Sequence, residues 1–288
     1  MLTTLKNRLS SEKKRKLKSV YYKTQKRIID ITRSYSYPEL LSALRELKIN
    51  PGDTLMVHSS FNALNGFQGS PQDVIRAFKE AIDPDQGTLL MVSLPYTSST
   101  HKYLKNNKTF HVGRTISRMG LISEIFRRQK GVLRSLHPTH PVCAFGHLAE
   151  WFVQDHENCL YPCGPGSPFE KIAEKDGKVL FFDVSFNTFT FIHHIEHLIQ
   201  DRLPFPLYNQ SIFDVTVTKL DGSNIMVKTK AFSLEAVQKR RPELLEAKLL
   251  NANKLQKTRV GMTHLNLVKV KDAISCVNEM SGGFFYEL

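Results

Sequence analysis

The chain has 288 residues, 41% of them hydrophobic and 23% charged. That describes an ordinary globular protein, large enough for one sizeable core, and excludes a low-complexity or collagen-like chain. No stretch approaches the roughly 18 uninterrupted apolar residues of a membrane helix, and the basic start lacks the apolar core of a signal peptide. The four cysteines (Cys143, Cys159, Cys163, Cys276) include no CxxC pair, which excludes a disulfide scaffold and leads us to expect reduced thiols in a cytoplasmic protein.

The net charge of +13 is uneven, because residues 1–35 hold eleven Lys or Arg against Glu12 and Asp30. The remaining 253 residues carry 29 basic and 25 acidic side chains, so the body is nearly balanced. We therefore expect a basic, partly helical arm over residues 1–35, and any polyanion or anionic-membrane contact belongs to it.

A folded body is expected over residues 36–288. Ser36-Tyr37-Pro38-Glu39 is a capping-box pattern, and Leu40, Leu41, Leu44 and Leu47 follow at helical spacing. Leu55-Met56-Val57 reads as a buried strand ending at His58-Ser59-Ser60. Ser70-Pro71-Gln72-Asp73 opens a second capped helix, and Leu89-Leu90-Met91-Val92 reads as the next strand. Strand, helix and strand at this spacing point to parallel crossover units. Residues 95–114 read as a polar loop, and Ile116 to Phe126 as a helix. Arg134-Ser135-Leu136-His137-Pro138-Thr139-His140-Pro141 is broken by proline. Gly164-Pro165-Gly166-Ser167-Pro168 turns into a third capped helix.

Val179 to Phe182 reads as a strand, followed by a helix to about Gln200 with Asn187 or Thr190 as its cap. That helix carries His193, His194, Glu196 and His197, and His193 lies one turn from both Glu196 and His197. After Pro204, Ile212 to Leu220 and Ile225 to Lys230 alternate in polarity around Asp221-Gly222, as a hairpin does. Ser233 to Leu249 is expected to be helical with a break near Pro242, Leu265 to Val270 an edge strand, and Asp272 to Met280 a closing helix. The fold class is α/β, with a mostly parallel central sheet, helices on both faces and an antiparallel, β-rich C-terminal part.

Three readings of the histidine helix compete. One is a polar face with satisfied histidines. A second is metal, because His193-x-x-Glu196-His197 has the inverted zincin spacing of a zinc metalloprotease, although nothing marks a third ligand. The third is acid–base chemistry without metal, with His193 as general base and Glu196 orienting its ring or holding a substrate ammonium. The positive end of the helix dipole would keep His193 neutral. Glycine turns before the capped helices at Gly66–Gly69 and Gly164–Gly166 could seat phosphates of a large anionic cosubstrate, with Arg134 adding a bidentate contact.

Five ordered motifs stand out: His58-Ser59-Ser60, Met119-Gly120 with Glu124 and Arg127, Arg134-Ser135-x-His137-Pro138-Thr139-His140, Gly164-Pro165-x-Ser167-Pro168, and Asn187-x-x-Thr190-x-x-His193-x-x-Glu196. Taken together, they resemble the aminoglycoside 3-N-acetyltransferase family. The resemblance implies an α/β fold distinct from the GNAT superfamily and transfer from acetyl-CoA, or a related acyl-CoA, to an amino-sugar amine. It implies that His193 and Glu196 are catalytic, that Asn187 and Thr190 bind the acceptor, and that no metal is needed. It assigns His58, Ser59, Ser60, Arg134, Ser135, His137, His140 and Ser167 to the CoA cleft.

The chain departs from the family pattern at His111, where an acid is common, at Pro141, where serine is common, and in its basic arm. His197 is outside the pattern. Residues 95–114 contain no acid, so an amine on an anionic carrier, such as a nucleotide-linked amino sugar, suits the charge better than a polycationic aminoglycoside.

Overall fold

Three apolar runs form the middle of the main sheet, β1 (Thr54–Ser59), β2 (Thr88–Val92) and β6 (Lys178–Phe182). In the computed structural model, which describes residues 11–62, 64–280 and 285–287, β1 lies between β2 and β6 and is parallel to both. Antiparallel strands extend both sides: β5 (Val142–Gly146) and β4 (Leu133–Arg134) beyond β2, β10 (Thr263–Lys269) and β9 (Leu255–Val260) beyond β6. The order among the described residues is β4-β5-β2-β1-β6-β10-β9. The α/β class is as expected, and the parallel order is confined to the central three strands.

These strands read as continuous apolar runs because both faces of the sheet are covered. Alternate side chains separate into two cores, as the two-residue period of a strand requires. Met56, Leu90, Val179 and Phe181 join the core on one face, and Leu55, Val57, Leu89, Leu180 and Phe182 the core on the other. Both phenylalanines are fully buried, each contributing roughly 1.5–3 kcal/mol of hydrophobic stabilisation.

The helices start where their caps indicate. Helix α1 (Ser11–Thr32) lies within the expected basic arm, whose residues 1–10 are outside the described residues, and α2 (Tyr37–Glu46) follows with the Ser36/Glu39 capping box in place. Ser70 and Asp73 form the same box on α3 (Pro71–Ile82). Tyr35 is buried and bridges to Phe67, so the body begins one residue before the expected boundary. The supposed loop at 95–114 instead holds α4 (Thr100–Asn106), capped by Ser99, and β3 (Thr109–His111). Ile116 and Met119 precede α5, which starts only at Leu121 and ends at Arg127. A short helix α6 (Ala149–Val153) leads to α7 (Pro168–Glu174), capped by Ser167.

The hairpin β7 (Tyr208–Thr218) and β8 (Asn224–Phe232) forms a second sheet with β3. Pro242 separates α9 (Leu234–Lys239) from α10 (Pro242–Asn251), as proline at a first helical position does. Strand β10 is interior, not an edge, because the polar β9, absent from the sequence expectation, covers it. Helix α11 (Val270–Asn278) closes the fold.

Candidate active site

The carboxyl ends of β1, β2 and β6 open on a cavity of about 310 Å³, the position where open α/β sheets place their ligands. His58 and Ser59 reach it from β1, Val92 from β2 with Leu94 just beyond that strand, and Asn187, Thr188 and Thr190 from the turn after β6. His193 and Arg240 close one wall.

Helix α8 (Ile192–Leu198) is shorter than its sequence implied. Neither Asn187 nor Thr190 caps it, because Asn187 lies in a 3₁₀ turn over Phe186–Thr188 and the Thr190 hydroxyl donates to the Thr188 carbonyl (3.3 Å). His193 is nevertheless in the first turn. Its Nδ1 is 2.7 Å from Glu196 Oε2. An ionised carboxylate only accepts, so Nδ1 carries the proton and Nε2 keeps its lone pair.

Glu196 is fully buried. Its two oxygens accept from His193, from Nε and Nη2 of Arg240, and from the Tyr286 hydroxyl. Those four donors fill the capacity of a carboxylate, so no site remains for a substrate ammonium. Burial alone would raise its pKa, but the charge of Arg240 and the hydrogen bond from His193 outweigh it and hold the group at about 2. Burial lowers the pKa of His193, the Arg240 charge lowers it further, and Glu196 opposes both. His193 is therefore neutral as expected, with burial rather than a helix dipole as the first cause.

The remaining helix histidines hold neighbouring structure. His194 Nδ1 donates to the Cys163 carbonyl (2.9 Å), and His197 bonds the Tyr208 hydroxyl (3.1 Å) beside Tyr161. His193 and His197 thus face different partners, and Glu196 is committed to Arg240. No group of three or more His, Cys, Asp or Glu among the described residues is arranged to hold a metal ion. The zinc arrangement does not assemble.

The residues assigned to the CoA cleft separate into two sets. His58 and Ser59 line the cavity. His58 is buried, which pushes its pKa down to about 3, and its Nε2 has no hydrogen-bond partner among the described residues. Ser60 follows β1, its backbone N–H donating to the Phe182 carbonyl (3.0 Å).

The other five are built into the protein. Arg134 donates to the carbonyls of Ser93, Val112 and Thr115 and lies 4.8 Å from the Phe110 ring. It ties the second sheet to the first, so its guanidinium is not presented to a phosphate. The Ser135 hydroxyl accepts from the Val142 N–H and donates to His156. His137 accepts from the N–H groups of Thr139 and His140 and faces Thr229. The Ser167 hydroxyl accepts the Glu170 N–H as the cap of α7. Of these five, His140 alone touches His193, edge-on to its ring with centroids 5.6 Å apart.

The glycine turns are likewise self-contained. Gly66 packs on the Arg33 carbonyl, the Ser70 N–H donates to Asp73, and the Gly166 N–H donates to Glu170. Carboxylates of the chain already occupy the helix starts meant for phosphate.

Sequence reasoning missed Arg240 and Tyr286, which lie 44 and 90 residues from Glu196. The only signal for the first is physical: a fully buried Glu requires a cation. Tyr286 is brought in by residues 285–287, which pair with 239–241 through the Arg241 N–H to Phe285 carbonyl and the Glu287 N–H to Lys239 carbonyl bonds. Tyr286→Phe should lower the unfolding free energy by about 1.5–3 kcal/mol, the contribution of a hydrogen bond to a charged group. Urea denaturation checks this, and an unchanged midpoint would mean that the hydroxyl does not support Glu196.

A family model described as aminoglycoside 3-N-acetyltransferase matches residues 56–281. The chain belongs to this family. By that membership it is an N-acetyltransferase. It is 28% identical over 186 residues to aminoglycoside N(3)-acetyltransferase III of Pseudomonas aeruginosa, covering 60% of this chain and 68% of that protein. Among solved structures it resembles the aminoglycoside acetyltransferase AAC(3)-IVa apoenzyme, with a TM-score of 0.68 and 26% identity over 84% of this chain and 86% of the other. It shares its fold with AAC-IIIb in a binary complex with CoASH, with a TM-score of 0.69 and 22% identity over 85% and 97% of the two chains.

Proposed function

We propose that the protein transfers the acetyl group of acetyl-CoA directly to a primary amine of an amino sugar, with His193 as general base. The observation that carries this reading is the neutral His193 ring, fixed through Nδ1 by a buried carboxylate and set in the wall of the cavity at the strand ends. The Nε2 lone pair takes the proton as the amine nitrogen attacks the thioester carbonyl carbon. The new C–N bond forms, the C–S bond breaks, and the imidazolium returns the proton to the departing thiolate. Glu196 holds the ring tautomer and offsets the imidazolium charge, while Arg240 and Tyr286 hold Glu196.

Family membership and the resemblance to AAC-IIIb with CoASH support acetyl-CoA as the donor. Other members are bound to sisomicin or a gentamicin in their structures, which makes an amino-sugar amine the acceptor to test first. No carboxylate lines the cavity among the described residues, which favours an amino sugar of low positive charge, such as one linked to a nucleotide.

Asn187 and Thr190, at the mouth and wall of the cavity, are the acceptor contacts in this reading. His58, with Ser59 and Ser60 beside it, is the donor contact. His58→Leu should weaken CoA binding about ten-fold by removing one hydrogen bond, and leave stability equal or higher because the lost Nε2 has no partner among the described residues. Calorimetry with CoA and a urea titration test both halves. Unchanged CoA affinity would remove His58 from the site.

A further inference from the structure

Helix α1 carries an apolar stripe that the body does not cover. Leu17, Tyr21, Thr24, Ile28 and Ile31 are spaced alternately four and three residues apart, which aligns them along one face, with Val20 beside them. Leu17 is 58% exposed, Val20 63%, Tyr21 66%, Ile28 48% and Ile31 74%. The body touches a different side of the helix: Ile29, about 100° round from Ile28, faces Gly66 and is part-buried. Residues 11–32 hold eight Lys or Arg against two acids, a net of +6.

We propose that α1 lies flat on an anionic bilayer surface, with its apolar stripe at the headgroup–acyl boundary and its lysines and arginines among the lipid phosphates. Charge complementarity and the stripe together select this partner. A nucleic acid would neutralise the basic residues and leave Leu17, Ile28 and Ile31 in water. A second copy of the helix would cover the stripe and bring +6 against +6. An anionic lipid surface meets both requirements, and low mean hydropathy with a basic polar face is the pattern of helices that lie in that interface. No helix of the described residues is long and apolar enough to cross a membrane, so the attachment is peripheral and reversible.

The test is sedimentation of the full chain with vesicles of phosphatidylcholine alone and of phosphatidylcholine with phosphatidylserine. The chain should pellet with the second and not the first. The triple variant Leu17→Ser, Ile28→Ser, Ile31→Ser keeps every charge, so it should pellet at least about ten-fold less while its salt-dependent retention on heparin stays that of the wild type. Equal pelleting of variant and wild type would overturn the proposal, because charge alone would then hold the chain. No pelleting of the wild type would overturn it too. A wild-type dimer that the triple variant converts to a monomer, without vesicle binding, would assign the stripe to a second copy instead. Acetyl transfer by the variant in solution should equal that of the wild type, which separates this proposal from the catalytic one.

Discussion

His193→Ala should lower kcat by about two to four decades while CoA binds as tightly as to the wild type. The range is that of a positioned general base. An amine acceptor is mostly protonated near neutral pH, and without His193 the other histidine lining the cavity, His58, is a poor proton acceptor, because burial holds its pKa at about 3. Activity should therefore recover in part at high pH, where free amine forms unaided. His197→Ala provides the contrast, because that ring bonds Tyr208 and packs near Gly164 outside the cavity wall. It should change kcat little. Glu196→Gln should act on stability as well as rate: it leaves the Arg240 guanidinium buried without its counter-charge, a loss of about 3–5 kcal/mol. Steady-state rates and urea midpoints of the three variants check this. Equal loss in the His193 and His197 variants would remove His193 from its special role.

Acid should unfold the protein steeply below about pH 6, around the unperturbed histidine pKa. His58, His137, His140 and His156 are buried. Burial is the first cause holding all four well below the usual 6.5, His58 and His156 at about 3. In the unfolded chain they titrate near 6.5, so below that pH the unfolded state takes up protons that the folded state refuses. Stability is then fully present above about 6.5 and is lost as pH falls toward the folded values. Four groups at about 1.4 kcal/mol each give a loss of about 5.6 kcal/mol per pH unit. A protein of this kind has about 5–15 kcal/mol in total. Glu196, held at about 2, adds a further loss below the unperturbed 4.5. The urea midpoint should be flat from about pH 8 to 7 and collapse near pH 5. A midpoint unchanged down to about pH 5 would contradict four neutral buried histidines.

The histidine network also shows where a sequence can and cannot be read. The contact between His193 and Glu196 was legible because three residues along a helix make two side chains neighbours. The caps at Ser36, Ser70 and Ser167 and the β7–β8 hairpin were legible for the same reason, since each is a rule about residues a few positions apart. Arg240 was not, because a cation 44 residues away leaves no local mark on Glu196. Arg134 was misread for the converse reason. Its charge fits a phosphate in isolation, and only the folded chain shows its donors already aimed at three carbonyls. The interior place of β10 was hidden because β9 is a polar run with only one buried side chain, at Leu255.

The central claim is direct acetyl transfer with His193 as base. It is tested most directly by mixing the protein with radiolabelled acetyl-CoA, with and without an amino-sugar acceptor, and counting label on protein and acceptor after a quench. Label should reach the acceptor only when the acceptor is present, should be absent from the protein in both cases, and should fail to move with His193→Ala. Stable label on the protein without acceptor would contradict direct transfer, and full transfer by the His193→Ala protein would contradict the assigned base.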